Sequence, residues 1–221
     1  MKGPGFLFAA LSVVTAIPSA GIAAPTGACH CYRDRTFDPE RPGAADSYIL
    51  ATSRSSLLSA VFGPSKRELV EAVMTGTSPD DLWVAHWAAA RTGAAASALL
   101  EAKGAMGSWK AALAPAGHLG KAFEDAMSRG SSDGDLAGMV VDDVLTSRLG
   151  VEPAAVTALH KTGATTSEAI LAVVLASRIQ TNPATILASV KSGHATWGMA
   201  LQGLGLAPKD VDGLVRHILS R

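Results

Sequence analysis

Cys29-His30-Cys31 is the densest group of soft ligands in the chain and holds both of its cysteines. Two thiolates and an imidazole suit zinc or copper, but a structural site takes four donors, and no second cluster with matching spacing follows. Haem attachment needs Cys-x-x-Cys-His, which is absent. In an oxidising compartment the two thiols can pair, locally or with another chain. A Cys-x-Cys bridge closes a very small loop and is strained and reducible. Cys29, His30 and Cys31 are therefore weak metal-ligand candidates, a disulfide is the plainer expectation, and no cofactor is expected. Thr26-Gly27-Ala28 before Cys29 has the small residues of a lipobox without its usual leucine, which makes a lipid anchor at Cys29 a lesser alternative.

The remaining titratable residues do not gather into a catalytic set. His86, His118, His160, His194 and His217 show no His-Glu-x-x-His pattern. Asp80-Asp81 reads as a helix start, with acids against the positive end of the dipole. Asp142-Asp143 sits within a helical stretch, where neighbours point about 100° apart and cannot share a proton. There is no Gly-x-Ser-x-Gly elbow, Walker loop or dinucleotide glycine pattern. Enzymatic function is not expected on these grounds. Lys191 to Gly198 clusters lysine, glycine and tryptophan; a helix stop and a core-anchoring Trp197 is the plainer reading against an aromatic ligand platform.

The elements that carry these residues follow a targeting segment. Lys2, an apolar run from Phe6 to Ile17, and small residues through Ala23 form a secretory signal peptide over residues 1–23. Cleavage after Ala23 places Gly21 and Ala23 in the small positions; cleavage after Ala24 or Ala28 is the alternative. The protein is thus expected to be exported, periplasmic or extracellular, with no integral span in the mature chain. With 19 basic and 19 acidic residues it has no electrostatic footprint for nucleic acid. Residues 24–45 form an irregular, Cys-containing arm broken by Gly27, Pro39, Pro42 and Gly43. Its stretch `YRDRTFDPERP` is the most charged in the chain, and Arg33, Asp34, Arg35 and Phe37 are the partner-binding candidates.

From Asp46 onwards the apolar residues keep a helical period, and no period-two run suggests a strand. The chain also repeats itself. Gly63, Gly76, Arg91 and Leu100 recur 87 positions later as Gly150, Gly163, Arg178 and Leu187. Trp109, Leu113 and Gly117 recur 88 positions later as Trp197, Leu201 and Gly205. The expected fold is all-α: two tandem copies of about 87 residues, 46–131 and 132–221, each of roughly six short helices, packed as one pseudo-symmetric body. Each copy centres on an apolar helix, Leu82 to Ala88 and Ala169 to Ala176. Helices are expected over Ala95 to Ala102 and Leu119 to Ser128, with `RGSSDGD` (129–135) as the internal linker.

The stretch `ILASVKSGHATWGMALQGLGL` resembles a Lys-x-Gly, Trp-Gly, Leu-Gly motif of small, exported, functionally uncharacterised helical bacterial proteins, over residues 165–206 and more weakly 78–117. Lys110 replaces the glycine after Trp109. The resemblance implies export and helices, with no activity and no site residues. The function expected is therefore a protein-interaction or scaffold component of the cell envelope, working with a protein partner through the arm. The alternative is a periplasmic small-molecule or metal-binding protein, with a pocket between the copies or the Cys-His-Cys cluster as its site.

Overall fold

The computed structural model describes residues 37–220, which fold into twelve α-helices with no β-strand among the described residues. The first part comprises α1 (Asp46–Phe62), α2 (Lys66–Met74), α3 (Pro79–Thr92), α4 (Ala96–Met106), α5 (Trp109–Ala112) and α6 (Lys121–Ser128). The second comprises α7 (Asp133–Ser147), α8 (Pro153–Lys161), α9 (Thr166–Ile179), α10 (Pro183–Lys191), α11 (Trp197–Gly203) and α12 (Val211–Leu219). Short 3-10 turns at Pro42–Ala45 and Pro208–Asp210 lead into α1 and α12.

Local side chains set most helix starts. The Ser65 hydroxyl accepts from the Glu68 amide, and the Glu68 carboxylate accepts from the Ser65 amide. Thr165 and Glu168 repeat the arrangement at α9. Such boxes satisfy amides that have no intrahelical acceptor. At α3 the pattern is simpler: Ser78 accepts from Asp80, and Asp81 turns away to accept from the indole of Trp109 at 2.8 Å.

Two expectations about boundaries fail. α4 does not stop near Ala102; it runs through Gly104 and ends where Gly107 adopts φ 75°. Glycine is permissive both inside a helix and at its left-handed stop, so its position alone does not mark the end. The stretch 129–135 is not a linker either. Ser132 caps α7 and shares a capping box with Asp135, so four of its seven residues belong to the cap and first turn of a helix.

Apolar side chains from α1 to α12 form one continuous core, in which Trp83, Trp109 and Trp197 are almost wholly enclosed. Every residue from Glu168 to Ala176 is buried, which makes α9 the most enclosed helix. Each large apolar side chain buried in this way contributes about 1.5–3 kcal/mol. The packing crosses the sequence midpoint. α1 lies against α9 and α12, and α7 lies against α3, more extensively than α1 meets α3 or α7 meets α9. The first helix of each part therefore covers the central helix of the other.

Polar bridges follow the same crossing. The Trp87 indole donates to Asp143 at 2.9 Å, and Arg91 binds the same carboxylate at 2.8 Å while stacking over the Trp87 ring. Lys103 reaches Asp133 at 2.6 Å and Asp81 at 3.4 Å, and Asp133 foremost holds the lysine's pKa above its ordinary value. In the second part Lys191 meets Glu168 at 2.8 Å. Burial alone would raise the Glu168 pKa, but Lys191 and the Thr165 cap more than offset it, and the net shift is downward.

Candidate functional site

The arm does not leave the helical body at Asp46. Its described residues, 37–45, are laid across the start of α11. Phe37 is half-buried and packs against the core. Asp38 then folds the chain back: its carboxylate accepts from Arg41 Nε at 2.9 Å and from the Glu40 amide at 3.0 Å. These bonds pull the Asp38 pKa down, the Arg41 bond most. The Pro39 carbonyl accepts from Gln202 Nε2 at 3.0 Å, and Pro42 opens the 3-10 turn.

Asp46 closes the clasp. Its carboxylate accepts from the Gly198 amide at 2.8 Å and the Trp197 amide at 3.2 Å, across about 150 residues of chain. Thr196 accepts from the Met199 amide at 3.1 Å. The first three amides of α11 thus have acceptors, two supplied by another helix, and the carboxylate also faces the positive end of the α11 dipole. Burial lifts the Asp46 pKa, the two amide bonds draw it down, and burial prevails.

Space is tight where strap and helix meet. A Cβ on Gly198 would overlap the backbone carbonyl of Pro42, and a Cβ on Gly43 would come within 2.9 Å of the Thr196 methyl. At Gly198 the requirement is close backbone approach, since the obstacle is another backbone. Trp197 is buried, as a core anchor and not as an exposed platform.

Eighty-eight residues earlier, Trp109 is equally buried, but Lys110 follows it and points to solvent. There Ser108 caps α5 by accepting from Ala111, and Trp109 is tied to Asp81. Asp133, at the start of α7, binds Lys103 instead of helix amides.

Three other places hold polar or apolar features of note. A groove of about 440 Å³ between α7, α8 and the start of α9 contains a His160–Asp142 pair at 2.8 Å. An apolar groove of about 290 Å³ lies between α9, α10 and α11, edged by exposed Ile179. Ser192 Oγ lies 2.6 Å from His194 Nδ1, but both are exposed on an open turn, without the walls that exclude water from a nucleophilic site.

Of the residues singled out in the sequence, Phe37 is placed against the core. Cys29, His30, Cys31, Arg33, Asp34, Arg35 and the signal peptide 1–23 lie outside the described residues. Among the described residues no group of three or more His, Cys, Asp or Glu is arranged to hold a metal ion, and no helix is long and apolar enough to cross a membrane. Asp142 and Asp143 diverge, one to His160 and the other to Trp87 and Arg91. Asp46, Gly198 and Gln202 were not apparent as a site in the sequence. The one signal for them was the exchange of glycine for lysine after the two tryptophans. The chain matches no family model, no curated protein and no solved structure.

Proposed function

We propose that this is an exported helical interaction component of the cell envelope, which presents its N-terminal arm to a protein partner. The observation that carries the reading is the clasp on α11. A flexible linker would need no distant cap, no backbone-to-backbone contact at Gly198 and no Gln202–Pro39 bond. Fixing the root of the arm at Phe37 gives the charged segment before it a defined point of departure from the body. It also lowers the entropy lost when that segment engages a partner.

The body is read as two copies of a motif of about 87 residues, interlocked in a pseudo-symmetric arrangement. Support comes from a pair of positions that keep an acidic charge and its ion pair with a lysine. Asp81 and Glu168 both stand at the third position of a central helix, and each meets the lysine near the end of the following helix, Lys103 or Lys191. The reciprocal packing of α1 on α9 and α7 on α3 fits the same exchange.

The test is affinity capture from envelope extracts with the exported chain and with a version that starts at Thr36, which keeps the clasp. Partners retained by the first and lost by the second support the reading. An identical set in both samples overturns it.

A further inference from the structure

We propose that the groove between α7, α8 and α9 binds linear diamines or polyamines. Its lining includes two carboxylates, Asp135 and Asp142, and no lysine or arginine. They stand seven residues apart on α7, two turns along one face, which separates their backbones by about 10 Å. Between them lies Gly138, whose missing side chain leaves open space: a Cβ there would meet nothing within 4 Å. Packing therefore does not require glycine at this position, and a glycine inside a helix costs about 1 kcal/mol relative to alanine. Its effect is a bare strip of backbone running from one carboxylate to the other.

The remaining contacts complete the match. Met139 and Ala169 give that strip apolar flanks. His160 Nε2 engages Oδ2 of Asp142, and Ser132 engages Oδ2 of Asp135, so each carboxylate is held in place by one oxygen while Oδ1 can receive an ammonium group. The positive end of α9 borders the groove, but Glu168 and Thr165 already cap it, which weakens its opposition to a cation. Two acceptors joined by an apolar strip are complementary to two ammonium groups joined by methylenes. Diamines of about four to seven carbons span the gap, with the side chains supplying the remaining reach. At the positions 87 residues earlier, Tyr48, Ala51, Ser55 and Val73 stand in place of Asp135, Gly138, Asp142 and His160, so the second part alone carries this chemistry.

Calorimetric titration of the purified protein with α,ω-diamines of three to eight carbons, and with alkyl monoamines, tests the assignment. Salt at about 0.15 M screens unspecific attraction to exposed acids. Affinity should pass through a maximum with chain length, and monoamines should bind roughly tenfold or more weakly than the best diamine. Asp142→Asn removes one charge, and Gly138→Leu fills the strip; each should weaken the best diamine by roughly tenfold or more. The Cβ of Gly138→Leu would meet nothing within 4 Å, so this variant, once shown to fold by circular dichroism, decides the matter if Asp142→Asn does not fold. No measurable diamine binding, affinity independent of length, or undiminished binding by folded Gly138→Leu overturns the proposal.

Discussion

Trp109 and Trp197 occupy matching positions at the starts of two short helices, and both are buried, yet only the second lies under a strap. The difference is one atom's width. Gly198 lets the Pro42 carbonyl rest on the first turn of α11, where Lys110 at the corresponding place of α5 carries its side chain into solvent. The residue that starts the first helix of each part diverges accordingly. Asp46 caps α11, while Asp133 binds Lys103. Aromatic anchoring is thus common to both places, and the clasp is an addition to one of them. A functional reading belongs with the addition, because anchoring alone is accounted for by the core.

The sharpest way to break this comparison is to exchange the two residues. Gly198→Ala places a methyl group inside the Pro42 carbonyl, so strap or helix must shift, at a cost of about 2–3 kcal/mol. Lys110→Gly removes an exposed side chain from a helical turn and should cost about 0.5–1 kcal/mol. Urea unfolding midpoints of the two variants give the measurement. Equal midpoints would mean that the strap yields freely and that Gly198 is not what distinguishes α11 from α5.

A second contrast concerns the two lysine–acid pairs. Lys191→Met leaves Glu168, nine-tenths buried, without its cation, and should cost about 2 kcal/mol at neutral pH. Lys103→Met should cost less, about 1 kcal/mol, because the Trp109 indole still donates to Asp81. The acid limb separates them further. Glu168 has a folded-state pKa below its unfolded one, so its contribution is present above the unfolded value and is lost as pH falls through the folded value. Between those two values the Lys191→Met variant should show a flatter loss of stability than the parent chain. An unchanged slope would show that the Thr165 cap, not Lys191, holds the carboxylate ionised.

What the sequence disclosed and what it hid divide along the range of the interactions. The Ser-x-x-Glu spacing of Ser65 with Glu68 and the Thr-x-x-Glu spacing of Thr165 with Glu168 are legible in a sequence because both partners fall within one turn. The enclosed central helices were legible because Leu82 to Ala88, apart from His86, and Ala169 to Ala176 are apolar nearly all round. The course of α4 through Gly104 was not, since glycine stands equally well inside the helix and at its stop at Gly107. The Ser-Asp-Gly stretch before α7 has the composition of a linker, and only the Ser132–Asp135 box shows it to be a helix start. The clasp was least legible of all. Asp46 and Gly198 are 152 positions apart, and no local pattern couples a carboxylate to amides at that distance.

The smallest expected effect is also the most diagnostic of the clasp. Asp46 has a folded-state pKa raised by burial, so the native chain takes up its proton more readily than the unfolded chain does. Its favourable contribution is fully present below the unfolded pKa and is lost as pH rises through the folded pKa. Asp46→Asn keeps one oxygen, enough for the Gly198 amide, loses the acceptor for the Trp197 amide and has no charge to desolvate, so neutral-pH stability should change by less than about 1 kcal/mol. Asp46→Ala discards the acceptor and should cost about 1 kcal/mol or slightly more, the ordinary value of a helix cap. Unfolding curves of the two variants between pH 3 and pH 7 separate what a single acceptor provides from what the full carboxylate provides. If the asparagine variant loses as much as the alanine variant at neutral pH, one accepted amide is not enough, and the complete carboxylate, with its second acceptor and its charge against the α11 dipole, holds the strap in place.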